Sequence, residues 1–189
     1  MAEFDQAVQF VLNNEGGLEE SQNDPGGVTN YGISLRLLKS LSPEKLRQFG
    51  FTIMPDEISR VDIEQMTVSQ AKDIYKSEYW DYAPFEKINN QNLCNYIFDA
   101  AVNMGLSPAI KCTQRAIWSA AKQKGIILDD GILGDKTLDL INRCGTFILM
   151  PAMRSERAGE YRMVAERNPN CKEYLDGWLS RSYTQGEKA

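Results

Sequence analysis

The chain of 189 residues contains no histidine. This absence excludes catalytic nucleophiles that depend on a Ser-His or Cys-His pair, and it excludes zinc enzymes whose metal is held by histidine. Carboxylates are then the main side chains left for general acid–base chemistry near neutral pH. We expect neither a metal nor another cofactor.

Cysteines are few, and they lie far apart at Cys94, Cys112, Cys144 and Cys171. Because the chain has no Cys-x-x-Cys pair, a site with four cysteine ligands for zinc is not predicted. We expect four reduced thiols buried in the fold, as is usual for proteins of the cytoplasm.

Long apolar runs are also missing, since no stretch approaches the roughly twenty residues of a membrane span. The longest, from Phe147 to Met153, contains Pro151. The first residues, Met1 to Asp5, lack the basic region and apolar core of a signal peptide. We therefore expect synthesis in the cytoplasm, with no signal peptide and no membrane span.

A basic surface is absent as well, because the net charge is −5 and the pI is about 4.9. This balance argues against nucleic acid as a partner. With 42% hydrophobic residues the chain can bury a core of one domain or of two lobes. Helical spacing of apolar residues recurs, most clearly at Leu93, Ile97, Ala101 and Met104, and predicts a mainly α-helical fold.

One polar, glycine-rich segment interrupts this helical pattern, from Glu15-Gly16-Gly17 to Asp24-Pro25-Gly26-Gly27-Val28-Thr29-Asn30-Tyr31-Gly32. The glycines end an amphipathic helix that begins near Phe4, so Glu15 lies on its last turn. The partial negative charge of a helix C-terminus disfavours an ionised carboxylate, and this suits a general acid. A purely structural origin, with an exposed helix end and an ordinary Asp-Pro-Gly-Gly turn, is the alternative.

The segment from Glu15 to Ser34 resembles the signature of glycoside hydrolase family 108, the N-acetylmuramidases found as phage endolysins and secretion-associated lysozymes. The resemblance implies a lysozyme-like, two-lobed helical fold with a small irregular or β-containing motif region. It implies that Glu15 is the catalytic acid. By analogy with phage-type lysozymes, Asp24 would activate water or stabilise the transition state, and Thr29 would orient that water. Retention and inversion stay open, because they depend on a carboxyl separation of roughly 5 Å or 6.5–9.5 Å.

Four further residues are predicted to contact the substrate: Tyr31, Trp80, Asp99 and Asn103. Tyr31 belongs to the signature segment, and the Tyr79-Trp80, Phe98-Asp99 and Asn103-Met104-Gly105 segments also resemble the family. From the residues alone, Trp80 fits core packing as well as sugar stacking. Asp99 and Asn103, four positions apart, fit a satisfied pair on one helix face.

We predict a catalytic lobe over residues 1–88, a helical lobe over 89–182 and a flexible tail over 183–189. The segment from Asp130 to Thr137 resembles the turn of small peptidoglycan-binding helical modules. A plain loop with Asp135 as the helix N-cap is the alternative.

The predicted partner is the glycan strand of peptidoglycan, cleaved by a monomer between N-acetylmuramic acid and N-acetylglucosamine. The protein would act in the periplasm or cell wall after passage through a holin or another export pore. Two other interpretations remain: a non-catalytic peptidoglycan-binding module and a secretion-accessory protein that recruits partners.

Overall fold

The computed structural model describes residues 1–15, 18–20 and 28–184. Its described residues are mainly helical, as predicted. They form ten α-helices: α1 (Phe4–Glu15), α2 (Leu35–Ser40), α3 (Pro43–Gln48), α4 (Arg60–Glu64), α5 (Val68–Glu78), α6 (Gln91–Met104), α7 (Leu106–Ala121), α8 (Asp135–Arg143), α9 (Thr146–Arg167) and α10 (Leu175–Thr184). Three short 3₁₀ helices cover Trp80–Tyr82, Phe85–Lys87 and Pro169–Tyr174.

A small antiparallel sheet occupies the motif region, in agreement with the predicted β-containing segment. Its strands are β1 (Glu19–Glu20), β2 (Val28–Asn30) and β3 (Ile33–Ser34), in the order β1-β2-β3. The central strand places Thr29 opposite Glu19 on one side and Ser34 on the other. In the order of the chain, the three strands follow α1 and precede α2.

The two residues between β2 and β3 both have positive φ, 51° at Tyr31 and 77° at Gly32. Positive φ at both central positions is the mark of a type I′ turn, whose twist matches that of two antiparallel strands. Glycine adopts this conformation readily, whereas a tyrosine in it is uncommon. The strained Tyr31 therefore marks this turn as a place to look for function.

The chain divides into two compact units, which we name the hairpin unit (residues 8–81) and the helical unit (residues 1–7 and 82–189). Along the chain, the hairpin unit ends at residue 81, seven residues before the predicted lobe boundary at residue 88. Helix α1 begins in the helical unit and ends in the hairpin unit.

Local capping explains where the helices of the hairpin unit begin. Ser34 and Ser42 accept hydrogen bonds from the first turns of α2 and α3. Thr67 and Gln70 form the capping box that the sequence predicts at the start of α5. The segment 49–59, for which we predict an irregular segment or a weak strand pair, contains turns and no strand.

Three long helices, α6, α7 and α9, supply most of the core of the helical unit. Helix α6 buries Leu93, Ile97 and Ala101, the apolar face that its spacing predicts. Helix α9 continues through Pro151 from Thr146 to Arg167. Phe98 packs edge-on against Phe4 and Phe85. These contacts fasten the first residues of the chain to the same core.

The four cysteines are free thiols; Cys94 and Cys112 are buried, whereas Cys144 and Cys171 are only partly so. Burial raises the pKa of Cys94 to about 12, so its thiol stays protonated and unreactive. Among the helices that the structure describes, none combines the length and the apolar character that a membrane crossing requires.

Candidate active site

Glu15 is the last residue of α1, and its half-buried carboxylate lies against the backbone of Gly32. A Cβ atom built on Gly32 would stand 2.8 Å from Glu15 Oε2 and 2.9 Å from its Cδ. Both distances are shorter than any that a real Cβ tolerates. The turn between β2 and β3 thus depends on glycine twice, for its positive φ and for the approach of the acid.

The hydroxyl of Tyr75 reaches the same point from α5. It donates a hydrogen bond of 2.8 Å to the carbonyl oxygen of Tyr31, and it would lie 2.5 Å from a Cβ on Gly32. Tyr75 is fully buried and so has few alternative positions. Three elements, α1, the hairpin turn and α5, therefore meet at Gly32 and hold the carboxylate of Glu15 in place.

A second tyrosine, Tyr79, directly follows the last residue of α5 and lies within the field of this carboxylate. Burial raises the pKa of Tyr79, and the negative charges of Glu15 and Glu78 raise it further. Its ring centroid is 5.8 Å from that of Tyr75. A tyrosine is already neutral at pH 7, and the raised pKa keeps Tyr79 a hydrogen-bond donor near the acid at higher pH as well.

The other residues predicted around the catalytic acid lie at different depths in the hairpin unit. Thr29 is half-buried at the centre of the sheet, two residues before the turn. Tyr31 is half-buried in the turn itself. Trp80 is only 7% exposed, which fits core packing better than an open sugar-stacking surface. Asp24 lies outside the described residues.

Asp99 occupies the interior of the helical unit, where its exposure is 0%. Arg157 of α9 approaches it to 2.8 Å and Arg181 of α10 to 2.6 Å. This position leaves no surface on Asp99 for a glycan to touch. Its carboxylate instead joins three helices, since charges in a protein interior are stable only when paired.

Asn103 is half-buried one turn further along α6 and belongs to the same polar network. The Nε–H of Arg157 donates to the hydroxyl of Tyr161 over 2.9 Å, and that hydroxyl donates to Asn103 Oδ1. The side-chain carbonyl of Asn103 is thus occupied. Its amide nitrogen remains the group that can donate to a ligand.

The sequence predicts no role for Tyr75, and Tyr79 enters the prediction only through the Tyr79-Trp80 segment that resembles the family. The i, i+4 spacing of Tyr75 and Tyr79 was the available signal, since residues four apart are neighbours near a helix end, and the two rings do lie close together at the end of α5. The pairing of Asp99 with Arg157 and Arg181 carried no signal, because the partners are 58 and 82 positions away.

The family model described as Glycosyl hydrolase 108 matches residues 8–105, more than half of the chain. The chain belongs to this family. All residues placed around Glu15 above, and Asp99 and Asn103 as well, fall inside the match. Membership makes this protein a glycoside hydrolase by family and agrees with a site whose central group is a carboxylate.

A second family model, described as a Predicted Peptidoglycan domain, matches residues 108–183. The chain is also similar in fold to the solved structure of SagA from Brucella abortus, with a TM-score of 0.64 at 21% identity over 98% of this chain and 97% of that one. Among curated proteins, no sequence matches significantly. The two family matches together support a peptidoglycan hydrolase.

The described part of this glycoside hydrolase contains no group of three or more cysteine, aspartate or glutamate side chains that could hold a metal ion.

Proposed function

We propose that the protein is an N-acetylmuramidase that cleaves the β-1,4 bond between N-acetylmuramic acid and N-acetylglucosamine, with Glu15 as general acid. One observation carries the proposal: the carboxylate of Glu15 is held against Gly32 by a turn that only glycine fits. A general acid must hold its proton within hydrogen-bond reach of the leaving oxygen. A half-buried carboxylate packed against this turn supports that requirement better than an exposed helix-end glutamate does.

In this mechanism Glu15 protonates the glycosidic oxygen while positive charge develops on the sugar ring. Asp24 stabilises that charge or activates the attacking water, and Thr29 orients the water. Tyr75 keeps the turn in place through its bond to the carbonyl of Tyr31. Tyr79, a neutral phenol, supplies a donor near the carboxylate without adding charge.

Two residues are proposed as substrate contacts. Tyr31 presents a half-buried ring at the turn next to the acid, and aromatic rings stack well on the apolar faces of sugars. Asn103 offers its amide nitrogen, since Tyr161 occupies its carbonyl. Such a donor suits the carbonyl oxygen of an N-acetyl group.

The polymer lies outside the cytoplasm, and we propose that the protein acts there as a monomer after passage through a holin or another export pore. Membership of a cell-wall-degrading family supports action at the wall.

Mass spectrometry of purified peptidoglycan after digestion tests the activity. A muramidase leaves fragments with reducing N-acetylmuramic acid, a glucosaminidase leaves reducing N-acetylglucosamine, and a lytic transglycosylase leaves anhydro products lighter by one water. We expect the first pattern, and we expect it to vanish with Glu15→Gln. Tight binding without any product would instead favour the non-catalytic, peptidoglycan-binding interpretation.

A further inference from the structure

A cavity of about 520 Å³ lies in the helical unit, between the loop after α7 and the first turn of α8. Its volume is within the range of sites that take small ligands, roughly 300–1,000 Å³. It is built from residues 114–137 alone and so lies wholly inside the segment that matches the peptidoglycan domain. Glu15 and its neighbours take no part in it.

One buried side chain, Gln114 of α7, holds the loop in shape. Its amide nitrogen donates to Asp130 Oδ1 at 2.8 Å, to the carbonyl of Ile132 at 3.1 Å and to the hydroxyl of Thr137 at 3.2 Å. Its carbonyl oxygen accepts the backbone N–H of Gly131 at 3.0 Å. A loop held by four such bonds is fixed before a ligand arrives, which lowers the entropy cost of binding.

The turn at Gly131 is fixed from its other side as well. Gly131 has φ of 78°, and a Cβ there would clash with the hydroxyl and the backbone of Ser107. The loop therefore packs tightly on the start of α7, which makes the cavity a permanent feature of the unit.

Charges of both signs and two exposed aliphatic side chains line this cavity. Leu128 is 77% exposed and Ile132 is 64% exposed. The carboxylate of Asp130 stays ionised, because hydrogen bonds from Gln114 and from the backbone of Ile132 lower its pKa. Both bonds fall on Oδ1, so Oδ2 can accept a ligand donor. Lys136 contributes a positively charged side chain to the same cavity.

We infer that this cavity binds the stem peptide of peptidoglycan, at the diamino acid whose ammonium and carboxylate are close together. Asp130 would take the ammonium and Lys136 the carboxylate, while Leu128 and Ile132 cover the aliphatic chain that joins these two groups to the rest of the peptide. The residues lining the cavity include no aromatic ring, which a glycan would use for stacking. The inference rests on the proposed function in one respect, since it takes peptidoglycan as the polymer bound.

Nuclear magnetic resonance on the ¹⁵N-labelled full chain tests the inference. The probe is the free tripeptide L-alanyl-γ-D-glutamyl-meso-diaminopimelate, and an oligomer of N-acetylglucosamine serves as the competing probe. We expect the tripeptide to shift the amide signals of Gly131, Ile132 and Lys136 while that of Gly32 stays in place. We expect the sugar oligomer to leave the three loop signals unchanged.

Two variants and one matched control sharpen the test. Asp130→Asn keeps the oxygen that Gln114 and Ile132 bind but removes the charge, and Lys136→Gln removes the cation. Each should raise Kd for the tripeptide about tenfold or more, the usual effect of losing a hydrogen bond to a charged group. Lys172→Gln, an exposed lysine of the same unit outside the cavity, should leave Kd unchanged.

The inference is overturned if the tripeptide shifts none of the three signals, if the sugar oligomer shifts them instead, or if both variants bind like wild type. Digestion of peptidoglycan is measured separately on the same samples. Tripeptide binding by a wild-type protein that releases no fragments from peptidoglycan would sink the proposed function alone. Digestion without tripeptide binding would sink this inference alone.

Discussion

Replacing Gly32 by alanine should disable the candidate active site without unfolding the protein. The new Cβ would fall 2.8 Å from Glu15 Oε2 and 2.5 Å from the Tyr75 hydroxyl, where ordinary contact begins at 3.4 Å. The Glu15 carboxylate is the end of a flexible side chain and can move away, whereas the buried ring of Tyr75 can shift only slightly. The carboxylate of Glu15 then has to retreat by at least ~0.5 Å, a distance that matters for proton transfer to a fixed oxygen.

The expected magnitude has two parts. An L-residue in the left-handed conformation costs about 1–2 kcal/mol of stability, which a folded domain can lose and remain folded. A misplacement of about 1 Å in a reacting group costs on the order of 10²-fold in rate. We therefore expect Gly32→Ala to be modestly less stable and to turn over peptidoglycan about 10²-fold more slowly.

Gly50→Ala is the matched control, because Gly50 lies in the same unit with φ of 82° and its nearest neighbour, Gln70, would be 3.5 Å from the new Cβ. It carries the same backbone strain without the clash. The assay is release of soluble fragments from purified peptidoglycan, with thermal unfolding measured on the same samples. If both variants are folded and equally active, the position of Glu15 against the turn does not govern catalysis, and the reasoning fails.

Four further predictions concern single residues. Glu15→Gln should lower kcat by about 10²–10⁴-fold with an unchanged Tm, and activity above a tenth of wild type would contradict its role as the acid. Asp24→Asn should lower kcat with little change in Tm; lost stability with intact kcat would make Asp24 a turn residue. Asp99→Asn should cost about 3–5 kcal/mol in urea unfolding, because it leaves two arginines without their buried partner, and a loss below about 1 kcal/mol would refute that role. Burial raises the pKa of Tyr96 from 10.0 to about 12, so unfolded chains ionise this phenol first and the free energy of unfolding should fall as pH rises from 10 to 12. Tyr96 should account for about 2–3 kcal/mol of that fall, and a Tyr96→Phe variant with the same alkaline slope as wild type would be the contrary result.

Helices were predictable here because their signals are local. The apolar face of α6 and the capping box at Thr67 each depend on residues only three or four positions apart, and both are present in the structure. The turn at Tyr31 and Gly32 was not predictable in detail. Hairpin turns of this type favour asparagine or aspartate before the glycine, and a tyrosine with positive φ gives no such sign.

Of the candidate site, the sequence predicts Glu15 together with Thr29 and Tyr31 of the same motif. Glu15 precedes two glycines and belongs to a motif, so its position follows from the chain alone. Its neighbours do not, because Gly32 is 17 positions away and Tyr75 is 60, and they meet the acid only through tertiary packing. For Asp99, the sequence does not predict the charged partners. Helical spacing indicates Asn103, whereas the ion pairs are with Arg157 of α9 and Arg181 of α10, which lie far away in the chain.

The split of α1 between the two units bears on how the protein is made. Residues 1–7 leave the ribosome first, yet their partners in the helical unit are Glu86, Gln91 and Phe98, which emerge much later. The hairpin unit is thus an insertion whose residues are all synthesised before the surrounding unit can close. We expect a nascent chain halted before α9 to hold a folded hairpin unit and an unfinished helical one. Because the helical unit also includes α6 and the first seven residues, a fragment that begins at residue 108 to isolate the peptidoglycan domain would lack them. Part of its hydrophobic core would then be missing.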